Sequence, residues 1–346
     1  MARPTQKPTT PIPNIVAMRK ELAVTIAAHA PELGENPTPI PGLAFYRRTT
    51  PTACTLATYE PSLNLFVQGR KRINLNGVIY ICDSSSFLLS SIDVPAESQI
   101  IEASVETPML SLFLRLDMPT VREVLTREDL PEPVLPEAEL EPDLDESATS
   151  IRSRGAATSA RGRATSVRPR GLAVGETTPG LLGACARLID LLDTPEDIPF
   201  LGHLIQSEIV YRILRTPQGE RLRAIATTGD LSHRTARAIA WLRAHYAKPL
   251  HMEELAAIAR MGVSTLHHQF RALTAMSPLQ YQKRLRLQMA RQRMLMDSID
   301  ATSAAYEVGY ESVSQFNREY GRFYGQPPMR DIKALRDNKL IAIDAA

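Results

Sequence analysis

Cysteine is scarce in this chain of 346 residues: Cys54, Cys82 and Cys185 lie far apart and form no CxxC pair. That spacing argues against a disulfide scaffold and a cysteine-rich zinc site, and it suits a reducing cytoplasm. No apolar run approaches the roughly 18 residues that a membrane helix needs, so no membrane partner is expected. The residues up to Asn14 carry four prolines and no apolar core, which is not the pattern of a secretory signal. GxSxG, Walker and GxGxxG patterns are absent too, so neither a hydrolase elbow nor a phosphate-cradling loop is expected. Charge of one sign is also lacking: 40 basic residues against 38 acidic ones leave a formal net charge of +2, which by itself names no partner.

What is present is ordinary in bulk and uneven in detail. Hydrophobic residues make up 44% and charged residues 23%, which excludes a disordered or collagen-like chain. The length predicts two domains at roughly 100–200 residues each. From Leu231 to Ala346 there are 17 Lys and Arg against 10 Asp and Glu, a net of +7; the first 230 residues then hold 23 against 28, a net of −5. The basic excess therefore sits in the C-terminal third.

Asn14 can cap a helix whose Ile15, Met18, Leu22 and Ile26 form one apolar stripe. From Leu43 to Leu116 the pattern turns to short β-type runs such as Leu63–Val67, Lys71–Leu75 and Val78–Ile81. Asn76-Gly77 between two of them signals a type I′ hairpin, because both central residues need positive φ. Many short strands at close spacing predict a small antiparallel barrel or sandwich. Glu128–Glu146 then holds nine acids and no Lys or Arg, and Arg152–Arg170 holds six arginines. Residues 131–170 read as a flexible insertion, since neither half can bury enough apolar surface. The Arg-rich half could touch DNA phosphates or the acidic half, or serve as a solvated linker. After Pro179 the pattern is helical, with stripes at Leu181, Leu188, Ile189 and Leu192, and at Leu201, Leu204, Ile205, Ile209 and Ile213. Such stripes close a domain core or make a dimer interface.

The strongest signal lies in 249–328. Met252–Ala259 reads as a short helix, Arg260–Val263 as a turn, and Ser264–Leu273 as a second helix capped by Ser264. That is a helix-turn-helix. A second pair follows, in which Ala304–Val308 ends at Gly309 and a helix runs over Val313–Tyr324. The turn glycines Gly262 and Gly309 are 47 residues apart. Leu279–Met296 between the pairs reads as one helix about 27 Å long at ~1.5 Å per residue. That length compares with the ~34 Å between successive major-groove faces of B-DNA.

On these residues the chain resembles the AraC/XylS family of bacterial transcription regulators. The segments that carry the likeness are Gly309–Tyr320 and Gly325-Gln326-Pro327-Pro328, within a matching stretch of about 234–331. Tyr59–Leu63, Gln68–Arg72 and Ser91–Pro95 resemble the family's N-terminal sensor domain. The resemblance implies an α+β multidomain protein: an N-terminal cupin-like antiparallel β-barrel with helices, and a C-terminal all-α domain with two helix-turn-helix motifs. The expected boundaries are 1–130 for the sensor, 131–170 for the insertion, 171–230 for a helical linker or dimerisation region, and 231–346 for the DNA-binding domain. Base readout then falls on Ser264, His267, His268, Ser314, Gln315 and Arg318. Arg can pair with guanine and Gln with adenine, while Ser and His donate more permissively. One of the adjacent histidines could instead pack inward. Phosphate-contact candidates are Arg271, Lys283, Arg284, Arg286 and Arg322, with exposed solubility residues as the alternative. The sequence departs from the family pattern at Arg260, where a small residue is usual before the turn, and in the length of 131–170.

Barrels of this type can be metal enzymes, but no histidine lies between Ala30 and Gly202 to supply a ligand cluster. No metal, cofactor or catalytic residue is therefore expected. An effector pocket is expected inside the strands, with Phe66, Ile81, Phe87 and Ile101 facing inward by alternation. Cys54 and Cys82 are either small buried hydrophobes or thiol sensors. The expected partners are double-stranded promoter DNA, a small-molecule effector, a second copy in a homodimer, and RNA polymerase. A small-molecule-binding barrel or enzyme with a helical tail is one alternative function, and a purely architectural DNA binder is another.

Overall fold

The computed structural model describes residues 14–127 and 171–344, with side chains up to residue 336. The 131–170 stretch lies outside the described residues. Helix α1 (Ile15–His29) starts where expected, with the Asn14 side chain accepting from the backbone N–H of Val16 and Ala17. Nine strands follow: β1 (Gly34–Pro37), β2 (Leu43–Arg48), β3 (Thr55–Tyr59), β4 (Ser62–Gln68), β5 (Arg70–Leu75), β6 (Val78–Cys82), β7 (Ser86–Ser90), β8 (Val94–Glu102) and β9 (Met109–Arg115). The β5–β6 turn has φ of +50° at Asn76 and +91° at Gly77, the positive pair that the hairpin signal required. After α2 (Met118–Leu125), strand β10 (Leu172–Glu176) pairs with β7.

The strands form two antiparallel sheets rather than a closed barrel. One has six strands in the order β1-β2-β9-β4-β7-β10, and the other has four in the order β3-β8-β5-β6. They pack as a jelly-roll-like sandwich. The six-stranded sheet is covered on both faces. Leu63, Leu65, Phe87, Leu89 and Leu112 share an apolar cluster with Leu22 and Ile26 of α1, with α3 (Pro179–Asp190) and with α4 (Ile198–Leu214). On the other face Phe66, Ile73, Leu75, Leu88 and Val94 fill the space between the sheets, each at most 2% exposed. Phe66 thus lies among buried apolar side chains in the region where the effector pocket was expected.

Two expectations about 171–230 change. This region is not only a helical linker, because β10 completes the six-stranded sheet. Its stripes also serve one chain: Leu181, Leu188, Ile189, Ile209 and Ile213 are buried in the cluster beneath that sheet. What α4 leaves exposed is Phe200 at its start and Leu204. Seven helices follow α4: α5 (Gly219–Ala226), α6 (Leu231–Ala244), α7 (Met252–Ala259), α8 (Val263–Thr274), α9 (Pro278–Met296), α10 (Ala301–Glu307) and α11 (Val313–Tyr324), and then α12 (Pro328–Asp344) closes the chain. No described helix is long and apolar enough to cross a membrane.

Candidate nucleic-acid interface

Helix α8 buries Leu266, Phe270 and Leu273 at spacings of four and three, so its opposite side must face out. Ser264, His267, His268 and Arg271 lie there, all exposed, at helical spacings that make one stripe along a groove. Ser264 is not the cap: Gly262 holds that position and α8 begins at Val263. The left-handed residue of this turn is Arg260, with φ of +52°, not Gly262. On α11, Phe316 and Tyr320 are buried, while Ser314, Arg318 and Arg322 are exposed on the far side and Gln315 is half-buried on the flank. Ser312 caps α11 by accepting from the N–H of Gln315. Among the described residues, Arg271, Arg318 and Arg322 have no ion-pair partner.

Three phosphate candidates have partners within the protein. Lys283 pairs with Glu319 at 2.9 Å. Arg284 donates to the Asn76 side chain at 3.0 Å and lies 5.5 Å from the Phe323 ring centroid. Arg286 donates to the carbonyls of Tyr246, Ala247, Lys248 and Gly309 at 2.7–3.1 Å. Burial lowers the pKa of both Arg284 and Arg286 from the ordinary guanidinium value. The sequence offered all three as phosphate contacts or solvated basic residues, because Glu319, the 245–248 loop and the hairpin tip that meet them are distant in the chain.

The Arg286 bonds fix the two helix-turn-helix units to each other. Gln282 adds bonds to the Tyr246 and Lys248 carbonyls at 2.9 and 2.7 Å. Gly309, at φ of +91°, passes so close that a Cβ there would lie 2.0 Å from the Ala247 carbonyl oxygen. Residues 245–248 lead from α6 toward α7 of the first unit and Gly309 lies in the turn of the second, so these bonds tie both units to α9. The second unit is also tied to α12 by a buried bidentate pair that the sequence did not reveal. Arg291 donates to both carboxylate oxygens of Asp331 at 2.7 and 2.8 Å, and Tyr320 OH donates to Asp331 at 2.7 Å.

The sandwich docks on the first unit. Gly171 N–H donates to the Leu273 carbonyl at 2.6 Å, and Asn76 Nδ2 to the Ala275 carbonyl at 2.6 Å, both at the C-terminal end of α8. Tyr281 OH donates to the Asp93 carbonyl at 2.9 Å, Thr58 bonds Gln288 at 2.6 Å, and Arg243 pairs with the Asp93 carboxylate. Beside this contact a cleft of about 240 Å³ is lined by Ile92, Met118, Arg122, Ile225, His233 and Arg237, among others. Burial, then the Arg122 and Arg237 charges, hold His233 below the usual imidazole value.

The effector candidates inside the strands are dispersed. Phe66 lies between the sheets, but Phe87 faces the helical layer. Ile81 and Ile101 face outward, 44% and 37% exposed, because Tyr80, Cys82 and Ile100 take the inward parity of β6 and β8. Cys82 is buried and its thiol is pushed up to about 12, and Cys54, though exposed, is also raised above its ordinary value, chiefly by loss of solvent around its thiol. Both shifts run against a reactive thiolate. Among the described residues, no group of three or more His, Cys, Asp or Glu side chains could hold a metal ion.

A two-sheet sandwich joined to a pair of helix-turn-helix units on one connecting helix defines the class: a DNA-binding regulator with a separate N-terminal domain. The sequence profile of the AraC-type transcriptional regulator N-terminus matches residues 39–221, and that of a helix-turn-helix domain matches residues 255–333. The chain belongs to the AraC-type transcriptional regulators. It is 32% identical over 112 residues to the HTH-type transcriptional activator RhaS of Klebsiella pneumoniae (strain 342), a match covering 32% of this chain and 39% of that protein. RhaS of Escherichia coli (strain SE11) is 31% identical over 102 residues, 30% of this chain and 36% of its own length. These matches span well under half of the relatives' length. Among solved structures, ToxT from Vibrio cholerae aligns over 84% of this chain and 97% of its own at 12% identity and a TM-score of 0.48. The DNA-binding domain of AdpA in complex with a target DNA aligns over 30% of this chain and 95% of its own at 27% identity and a TM-score of 0.29.

Proposed function

We propose that this protein controls transcription by binding promoter DNA through α8 and α11, with an effector acting through the sandwich. The observation that carries the reading is the pair of outward stripes, Ser264-His267-His268-Arg271 and Ser314-Arg318-Arg322, held in fixed relation by the Arg286 staple. Each helix buries an apolar face and presents donors suited to base edges and phosphates. In this reading Ser264, His267, His268, Ser314, Gln315 and Arg318 contact bases, and Arg271 and Arg322 contact phosphates. The helix α9, 19 residues or about 28 Å long, is of the order of one helical repeat of DNA, so both stripes engage one duplex.

The sandwich supports an effector role because it bonds to the C-terminal end of α8. An effector can regulate only by favouring one arrangement of the two units, and the cleft lined by Arg122, His233 and Arg237 touches both. A homodimer would form through the outer face of α4, where Phe200 and Leu204 remain exposed. RNA polymerase is the further partner of an activator, and the cytoplasm is the matching compartment. Electrophoretic mobility shift with the DNA upstream of the protein's own gene tests the reading. A saturable shift that survives nonspecific competitor is the expected result. Catalytic turnover without any such shift would favour the enzyme alternative, and a shift indifferent to sequence would favour an architectural binder.

A further inference from the structure

Glu319 lies on α11 one turn after Gln315, and its carboxylate is held at three points. Oε1 accepts from Lys283 Nζ at 2.9 Å and from Gln315 Nε2 at 3.1 Å, and Oε2 accepts from Tyr310 OH at 2.9 Å. Lys283 is on α9 and Tyr310 is in the turn before α11, so three separate segments fix the group. Tyr310 is itself 5% exposed, with its ring edge-on to Phe316. Burial opposes the charged form of Glu319, but the three donors outweigh it and hold the carboxyl below its usual value.

An ionised carboxylate only accepts hydrogen bonds, so only the NH2 end of the Gln315 amide can face it. The amide therefore cannot turn over. Its carbonyl oxygen and its second N–H remain for another partner. Together they match the major-groove edge of adenine, where N6 donates and N7 accepts, and the carbonyl alone matches the N4 donor of cytosine. Guanine and thymine offer that carbonyl no donor.

We propose that Glu319 is a positioning residue for base readout: it fixes the direction of the Gln315 amide, so that the second reading helix favours a base that engages both the carbonyl and the remaining N–H, adenine first, at one base pair. The inference rests on the reading of Gln315 as a base contact. Without Glu319 the amide would present its NH2 as readily as its carbonyl, and guanine and thymine would be accepted too. Lys283 shares the carboxylate, so a side chain that reads as a phosphate contact in sequence instead supports base selection.

The test uses the full chain and a random double-stranded DNA library. The selected site is resynthesised with every base at every position, and affinities are measured at one salt concentration. Q315A should flatten the preference at one base pair and so mark it. There the unsubstituted protein should favour adenine over guanine and thymine by roughly tenfold or more. E319A removes the acceptor that holds the Gln315 amide and leaves Lys283, a donor, beside it, so it should cut that preference to within about threefold, leaving the base read by Arg318 as selective as before. Y310F removes one bond to Glu319 while leaving the carboxylate facing Gln315, and it should keep the preference; it guards against a general disturbance of α11. An undiminished preference in E319A overturns the proposal, as does a parallel loss at every position in both E319A and Y310F. If Q315A flattens nothing, Gln315 is not a base contact, and both the parent reading and this inference fall, a result distinct from a failure of Glu319 alone.

Discussion

The first helix-turn-helix unit, α7–α8, buries its apolar face in a cluster that runs on into the β-sandwich, whereas the second, α10–α11, closes a cluster of its own. Leu255, Leu266, Phe270 and Tyr281 share contacts with Ile73, Leu88 and Val94 between the sheets. Val308, Tyr310, Phe316 and Tyr320 pack instead with Leu287, Ala290 and Ile332. The two units thus hold their reading helices by different means. The first leans on the sandwich and takes two hydrogen bonds from it at the end of α8. The second depends on its own short core, on the Asp331 network and on the Arg286 staple. The bonds from Gly171 and Asn76 therefore tie the sandwich directly to the end of α8.

The sharpest way to break the comparison is to remove what the second unit relies on. Asp331→Ala leaves Arg291 buried without its partner and strips Tyr320 OH of its acceptor. Removing one side of a buried pair costs about 3–5 kcal/mol. The melting transition should drop accordingly, with the loss confined to the second unit when read by hydrogen exchange. A whole-chain loss of protection would show that the two clusters do not behave separately. Next comes Gly309→Ala. Positive φ strains any side chain, and the added Cβ would press on the Ala247 carbonyl, so about 2–4 kcal/mol is expected from strain and overpacking together. Arg286 would lose its seat, and DNA binding should fall more than the melting transition implies.

The contrast between the units also marks where sequence reading succeeded and stopped. Elements with local signals were legible: the Asn14 cap, the Asn76-Gly77 hairpin, and α11 from Val313 to Tyr324. Each is set by neighbours within a few residues. The strand pattern left barrel and sandwich open, and placed a mostly apolar pocket inside, because alternation gives two faces without saying what covers each. β7 shows the difficulty: all five of its residues are buried, Phe87 and Leu89 toward the helices and Leu88 toward the other sheet. The partners of the basic residues of α9 were hidden for a related reason. Lys283, Arg284 and Arg286 meet partners 23 to 208 residues away in sequence, and no local pattern announces such a meeting.

A third test asks whether the two reading helices divide the work. Arg318 is exposed and lacks an ion-pair partner among the described residues, so Arg318→Ala should cost about 1–3 kcal/mol of DNA affinity if it holds a guanine. Specificity should relax at one base pair while the slope of affinity against salt changes little. A loss uniform across all sequences would assign Arg318 to a phosphate instead. Smaller again is Tyr281→Phe, which deletes the hydroxyl that donates to the Asp93 carbonyl. A single hydrogen bond contributes about 0.5–1.5 kcal/mol. Because Tyr281 lies under the first unit, hydrogen exchange should speed at the α8–sandwich contact and stay unchanged in α11. Equal acceleration in both would mean that α9 transmits the disturbance.

The smallest effect has the opposite sign and concerns the turns themselves. Both units need a left-handed residue where their first helix ends, and they fill it differently: Gly309 in the second, Arg260 in the first, at φ of +91° and +52°. A side chain at such a φ costs roughly 1–2 kcal/mol. Arg260 is exposed, and its backbone is engaged at both ends: the N–H donates to the Ala257 carbonyl at 3.0 Å, and the carbonyl accepts from Arg234 at 3.2 Å. Arg260→Gly would relieve the strain and keep both bonds. Against this stands the extra freedom of glycine in the unfolded chain, about 0.5–1 kcal/mol. The balance favours the variant by about 0.5 kcal/mol, seen as a small rise in the melting transition. A fall instead would mean that the Arg260 side chain stabilises the protein in a way its exposed position does not show. DNA affinity decides what the arginine is for. If Arg260 touches a phosphate beside the first motif, the more stable variant should bind DNA more weakly, with a shallower dependence on salt.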